Sequence, residues 1–172
     1  MREYAADPPI EEELNDELPA AGHTVATAES CTGGLIGSLL TDVSGSSDYF
    51  DRSLVTYTYD AKLDLGVSRE ALDEHGAVSE PVARQMAQAT RDAAGTTWGV
   101  STTGIAGPTG GSDGKPVGTV YIGVAYAGDW GTQTSYADVE RREFDGTRTE
   151  IKEQIARRAL RKLGEHVAEA RP

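Results

Sequence analysis

The apolar positions of this chain alternate between two periods. Thr24-Val25-Ala26-Thr27-Ala28 is a short, nearly unbroken apolar run, the pattern of a strand covered on both faces. Leu35-Ile36-Gly37-Ser38-Leu39-Leu40 follows and reads as a helix. Ser53 to Thr58 reads as a second strand, Trp98 to Thr102 as a third, and Gly118 to Tyr126, nearly all apolar, as a fourth and central one. Gly128-Asp129-Trp130-Gly131 marks a hairpin turn into a more polar fifth strand that ends near Phe144.

Helix signals fill the intervals. Ile10 to Ala21 has an amphipathic pattern that Pro19 should end or kink. Ser68 opens a short helix with Val67 and Leu72 placed as a hydrophobic staple, and Gly76 closes it. Ser79 caps the next helix, which tolerates Pro81 in its first turn and carries Val82, Met86, Ala89 and Ala93 as one stripe before Gly95. The last helix opens with a capping box from Thr147 to Glu150; its stripe is Ile151, Ile155, Ala159, Leu160, Leu163 and Val167. Alternating strands and helices with one hairpin predict an α/β fold: a three-layer α/β/α sandwich around a mixed, mostly parallel five-stranded sheet. Residues 1–9 form a polar, flexible tail, and 10–172 a single domain.

Composition narrows the partners. The net charge of −12 and only four lysines leave no basic footprint for nucleic acid. The excess acid is spread along the chain, like the solvated surface of a salt-adapted protein. No run approaches the ~20 apolar residues of a membrane span, and the polar, acidic start shows no signal peptide. One cysteine, Cys31, excludes an intrachain disulfide and fits a reducing cytoplasm. The three histidines have no metal-ligand spacing, and one cysteine cannot build a zinc site.

The candidate chemistry centres on Ala28-Glu29-Ser30-Cys31-Thr32-Gly33-Gly34, which puts a hydroxyl and a thiol on a strand-to-helix turn. By itself this pattern also suits a plain N-cap serine and glycine turn. Free N–H groups at such a turn could hold an oxyanion. The glycine-rich stretch Gly104 to Pro116 fails as a phosphate loop: Thr109 stands where the first glycine belongs, and Pro116 replaces the Ser or Thr. It remains a flexible loop at the end of the third strand, on the side where open α/β sheets bind ligands. Val55 to Lys62 brings Tyr57 and Lys62 past the second strand. Lys62 is either a solvated charge or a desolvated base. If Ser30 is a nucleophile, its activator is Lys rather than His. Arg148, in the first turn of the last helix, opposes the helix dipole unless it shares an anion with the free N–H groups there.

These segments together resemble the CinA C-terminal domain family, over roughly Thr24 to Leu163. The matching motifs are AESCTGG at 28–34, GSS and Phe50 at 45–50, VTY…AK at 55–62, HGAVSEPVA at 75–83, TGIAGPTGG at 103–111, KPVGTVY at 115–121 and FxGxR at 144–148. The resemblance implies a stand-alone, often dimeric amidase that works without metal, and no other cofactor is expected. Its substrate would be nicotinamide mononucleotide, deamidated to nicotinate mononucleotide and ammonia. It implies Ser30 as nucleophile, Lys62 and Tyr57 as its assistants, and Ser47, Thr103 and Arg148 near the ligand. Thr32, Gly33, Gly34 and Gly104 complete the expected substrate-binding set. Thr58, Tyr59 and Asp60 depart from the family's commoner VTYSNEAK wording and change the surroundings of Lys62. Two other classes remain open: a non-catalytic nucleotide-binding or competence-associated module, and a Ser–Lys hydrolase of another amide or ester.

Overall fold

The computed structural model describes residues 3–170. Five strands form one sheet: β1 (Val25–Glu29), β2 (Phe50–Val55), β3 (Trp98–Gly104), β4 (Thr119–Tyr126) and β5 (Tyr136–Glu143). Their order is β2-β1-β3-β4-β5. β1 pairs parallel with β2 and β3, whereas β4 is antiparallel to both β3 and β5. Four strands therefore run one way and β4 the other. The middle position belongs to β3, not to β4; β4 is apolar because helices cover both of its faces one place nearer the edge.

Six helices complete the layers: α1 (Ile10–Ala21), α2 (Leu35–Thr41), α3 (Tyr59–Leu65), α4 (Arg69–His75), α5 (Glu80–Ala94) and α6 (Arg148–Glu169). The predicted stripe of α6 is fully committed to the core. Ile151, Ile155, Ala159, Leu160, Leu163 and Val167 are all buried with Leu14, Leu18, Ile36, Leu40 and the sheet residues Val25, Val100 and Ile122. Each large aliphatic side chain so covered contributes about 1.5–3 kcal/mol. α1, α2 and α6 thus form one outer layer. On the other face Val82 and Met86 of α5 pack with Ala28, Val67, Ala71 and Leu72.

Several predicted boundaries shift, each for a local reason. Pro19 does not end α1, which runs on to Ala21 and stops at left-handed Gly22. The second strand lies at Phe50–Val55 rather than Ser53–Thr58, because Thr58 turns the chain and its hydroxyl accepts from the Ala61 N–H at 3.1 Å. That cap starts α3, a helix the apolar pattern did not reveal. Ser68 caps α4 as expected, at 3.1 Å from the Ala71 N–H. Ser79 occupies the N-cap position of α5, but its hydroxyl donates to the Gly76 carbonyl at 2.8 Å instead of capping. The capping box of α6 forms, with the Thr147 N–H donating to Glu150 Oε2 at 2.6 Å. Residues 3–9 contain no helix or strand, and the Tyr4 N–H donates to Glu153 on α6 at 3.2 Å. The ends of the predicted tail and domain, at 1–2 and 171–172, lie outside the described residues.

Candidate active site

β1 delivers Ser30 between its two neighbours. The Ser30 N–H donates to the Thr102 carbonyl on β3 at 2.9 Å, and the Thr56 N–H donates to the Glu29 carbonyl at 2.9 Å. The chain then turns through Cys31 to Gly34 into α2, with Gly33 and Gly34 at φ of 60° and 95°. Left-handed backbone of this kind suits glycine.

Lys62 is the buried residue of α3. Its Nζ lies 3.0 Å from Ser30 Oγ, 2.7 Å from the Thr56 carbonyl oxygen and 3.2 Å from that of Tyr57. Its side chain has no carboxylate partner among the described residues. Burial pushes the Lys62 amine below the ordinary lysine range, a shift that the nearby Cys31 partly opposes. A neutral amine has two N–H donors and one lone pair. Two carbonyls and one hydroxyl match that inventory, with the lone pair left for the Ser30 proton. The residues that depart from the family wording serve this helix: Thr58 caps it, Asp60 sits in its first turn, and the Tyr59 hydroxyl accepts from the Ala77 N–H at 3.2 Å.

Ser30 opens onto a cleft of about 260 Å³, whose walls include Tyr57, Lys62, Thr103, Gly104, Gly107 and Arg148. The segments following β1, β2 and β3 therefore meet at one end of the sheet, joined by the start of α6. Arg148 donates to the Gly107 carbonyl at 2.6 Å and to the Tyr57 hydroxyl at 3.2 Å. It thereby ties the glycine-rich loop to the exposed Tyr57 ring. Thr103 is buried, and its hydroxyl donates to the Ala77 carbonyl at 2.7 Å. No histidine lines the cleft. Among the described residues no cluster of three or more His, Cys, Asp or Glu side chains could hold a metal.

Ser47 is not brought to this cleft. It sits in a short turn, Ser46–Asp48, ahead of β2 and beside Thr24 and Gly95, at the opposite end of the sheet from Ser30. Among the turn amides, Gly33 donates to the Ser30 carbonyl at 3.1 Å. Thr32 and Gly34 have no such acceptor for their N–H groups among the described residues.

Three contributions escaped the sequence reading. Glu29 is fully buried and accepts from the Ile36 and Gly37 N–H groups at 2.9 and 3.0 Å. Thr32 links Glu29 Oε1 at 2.7 Å to the Thr102 hydroxyl at 2.8 Å. Lys152, one turn beyond Arg148, has its amine 3.7 Å from where a side chain on Gly33 would begin. The i,i+4 spacing of Arg148 and Lys152 is a cue available in the sequence. An acid at the end of an apolar strand gives no comparable cue.

The fold and cleft define an open-sheet α/β protein with a serine and a buried lysine in contact at the carboxyl end of its parallel strands. The chain belongs to the CinA C-terminal domain family, whose profile matches residues 7–167. It is 54% identical over 155 residues to a CinA-like protein of Salinibacter ruber, spanning 90% of this chain but 36% of that protein. It is 46% identical over 156 residues to the nicotinamide-nucleotide amidohydrolase PncC of Escherichia coli K12, covering 90% of each chain. The solved structure of the competence/damage inducible protein CihA from Agrobacterium tumefaciens superposes with a TM-score of 0.83 at 42% identity, over 90% of this chain and 91% of that one.

Proposed function

We propose that this protein hydrolyses the carboxamide of nicotinamide mononucleotide to nicotinate mononucleotide and ammonia, with Ser30 as nucleophile and Lys62 as base. The observation that carries this reading is the contact between buried Lys62 and Ser30 at 3.0 Å. Similarity to PncC along nearly the whole chain supports the substrate.

In the first step the Lys62 lone pair takes the Ser30 proton as Oγ bonds to the carboxamide carbon. The Thr32 and Gly34 N–H groups are the donors free to meet the oxyanion; losing one such donor costs ~100- to 1000-fold in kcat. Collapse of the intermediate breaks the C–N bond, and the Lys62 ammonium returns its proton to the departing nitrogen, so ammonia leaves. Water, deprotonated by the same amine, then attacks the seryl ester, releasing the acid and restoring Ser30. Direct contact of Nζ with Oγ makes a relay through the Tyr57 phenol unnecessary. Tyr57 and Arg148 instead line the mouth, where Arg148 takes the substrate phosphate with Lys152 as a second cation nearby. A homodimer belongs to the same reading.

Ammonia release by the purified protein, measured at low and at molar salt, tests the proposal. Turnover of the mononucleotide supports it. Turnover of other amides or esters alone would make this a different serine hydrolase. Tight binding of the mononucleotide without turnover would make it a nucleotide-binding module.

A further inference from the structure

We propose that Glu29 is a positioning residue for this site. Its buried carboxylate fixes the Ser30 turn and takes up the first free N–H groups of α2, which leaves Ser30 rather than Cys31 as the reactive side chain. The first half of this inference rests on the amidase reading; the second does not.

The carboxylate collects donors from three segments. Oε1 accepts from the Thr32 hydroxyl at 2.7 Å and the Ile36 N–H at 2.9 Å. Oε2 accepts from the Gly37 N–H at 3.0 Å and the Ser53 hydroxyl at 2.6 Å, with the Thr27 hydroxyl at 3.4 Å. β1, β2 and α2 thus converge on the residue directly before Ser30. A shift of this carboxylate would move the Ser30 oxygen against the Lys62 amine.

Cys31 needs explanation of a different kind. A thiol at a strand-to-helix turn, with a lysine nearby, is in the setting that usually produces a thiolate. Here the two free amides of the first turn of α2, Ile36 and Gly37, already face Glu29. Cys31 is only 6% exposed. Burial above all, with the Glu29 charge in addition, pushes its thiol up to about 12, against a backbone hydrogen bond and the Lys62 and Lys152 charges, which lower it. The more nucleophilic atom of the adjacent pair is thereby silenced.

The test compares wild type, Glu29→Gln and Ser53→Ala. A glutamine has one acceptor oxygen where two amides, Ile36 and Gly37, each require one. For Glu29→Gln we expect kcat on nicotinamide mononucleotide to fall about tenfold to a hundredfold. KM should stay within about threefold, the signature of lost transition-state alignment. Iodoacetamide should label Cys31 at least about twofold faster at pH 8 than in wild type, because one of the influences that hold the thiol up is removed. Ser53→Ala removes one donor and keeps the charge, so kcat should fall about twofold to fivefold with labelling unchanged.

Unchanged kcat and labelling in Glu29→Gln would overturn the proposal. So would a variant that merely melts earlier with wild-type kinetics. If Glu29→Gln does not fold, Ser53→Ala decides: lowered kcat at constant KM supports positioning, and wild-type kcat refutes it. If the wild type releases no ammonia, the amidase reading fails, while the labelling rates still judge the effect of Glu29 on Cys31.

Discussion

Replacing Lys62 gives the sharpest test of the proposed chemistry. Its Nζ has three neighbours, the Thr56 carbonyl at 2.7 Å, the Ser30 hydroxyl at 3.0 Å and the Tyr57 carbonyl at 3.2 Å. As an ammonium it donates to all three. As a neutral amine it donates to the carbonyls and accepts from Ser30, and only that form is a base. Burial lowers its pKa, so the productive form appears at lower pH than for an exposed lysine. The rate kcat/KM should therefore rise about tenfold per pH unit and level off below the ordinary lysine range. Lys62→Met removes the base, an effect worth ~100- to 10,000-fold in kcat, or about 2.7–5.5 kcal/mol of barrier. The pH rise should vanish with it. Lys62→Arg retains charge, but guanidinium has no usable lone pair, so it should be nearly as inactive as the methionine variant. The assay is ammonia release from nicotinamide mononucleotide between pH 6 and 10, with folding checked by thermal melting. A folded Lys62→Arg enzyme within about tenfold of wild type would refute the base assignment, as would a flat wild-type profile.

Four other outcomes follow from the same structure. Ser30→Ala should abolish ammonia release while Cys31→Ala keeps most of it, since at pH 8 a thiol near 12 is ionised in only about one molecule in 10,000; the reverse pattern would exchange their roles. Arg148→Ala should raise KM for the mononucleotide roughly tenfold to a hundredfold and barely affect the riboside, which lacks the phosphate; equal losses on both would assign Arg148 to holding Gly107 and Tyr57 instead. The folded-state pKa of Lys62 lies below its unfolded value, so the unfolded chain binds more protons in between, and wild-type stability should rise relative to Lys62→Met as pH climbs through that window; denaturant titrations at several pH values would show it, and a constant difference would contradict it. A Cβ on Gly99 would lie 2.1 Å from the Ala87 carbonyl oxygen, so Gly99→Ala should cost about 1–3 kcal/mol and lower Tm by roughly 2–12 °C, whereas an unchanged Tm would mean α5 can retreat from β3.

What the sequence disclosed, and what it hid, has a physical pattern. The Ser30 turn was visible because a strand, two glycines and a helix follow one another locally. The capping box at Thr147 and the stripe of α6 were visible for the same reason. α3 was hidden because Val55, Thr56, Tyr57 and Thr58 are all good strand formers, and only the Thr58 hydroxyl, by capping, tips the chain into a helix. Ser79 misled in the opposite sense, since a hydroxyl at an N-cap has other carbonyls within reach. Ser47 was assigned to the ligand by its motif, but the parallel register that starts β2 at Phe50 carries it to the far end of the sheet. Glu29 and Lys152 were missed because their importance depends on who lies across from them, Ile36, Gly37 and Ser53 for one and Gly33 for the other.

The separation of Glu29 from Lys62 is the feature that lets the site be both buried and reactive. Both side chains are fully buried, and both flank Ser30. Yet they form no ion pair with each other among the described residues. An opposed carboxylate would hold Lys62 as an ammonium and disable it as a base. Glu29 instead draws its donors from two backbone amides and from hydroxyls, so it needs no cation. Lys62 faces two carbonyls, which favour a donor but supply no full charge. Burial therefore outweighs the opposing influence of Cys31 on Lys62, which is the condition that drives an amine towards its neutral form. An acid placed beside Lys62, for instance by Ser30→Asp at the position whose side chain touches Nζ, would supply such a partner and should hold the amine as an ammonium, raising its pKa in a direct titration. An unchanged Lys62 pKa in that variant would mean that burial alone, rather than the absence of an ion pair, sets the working range of the base.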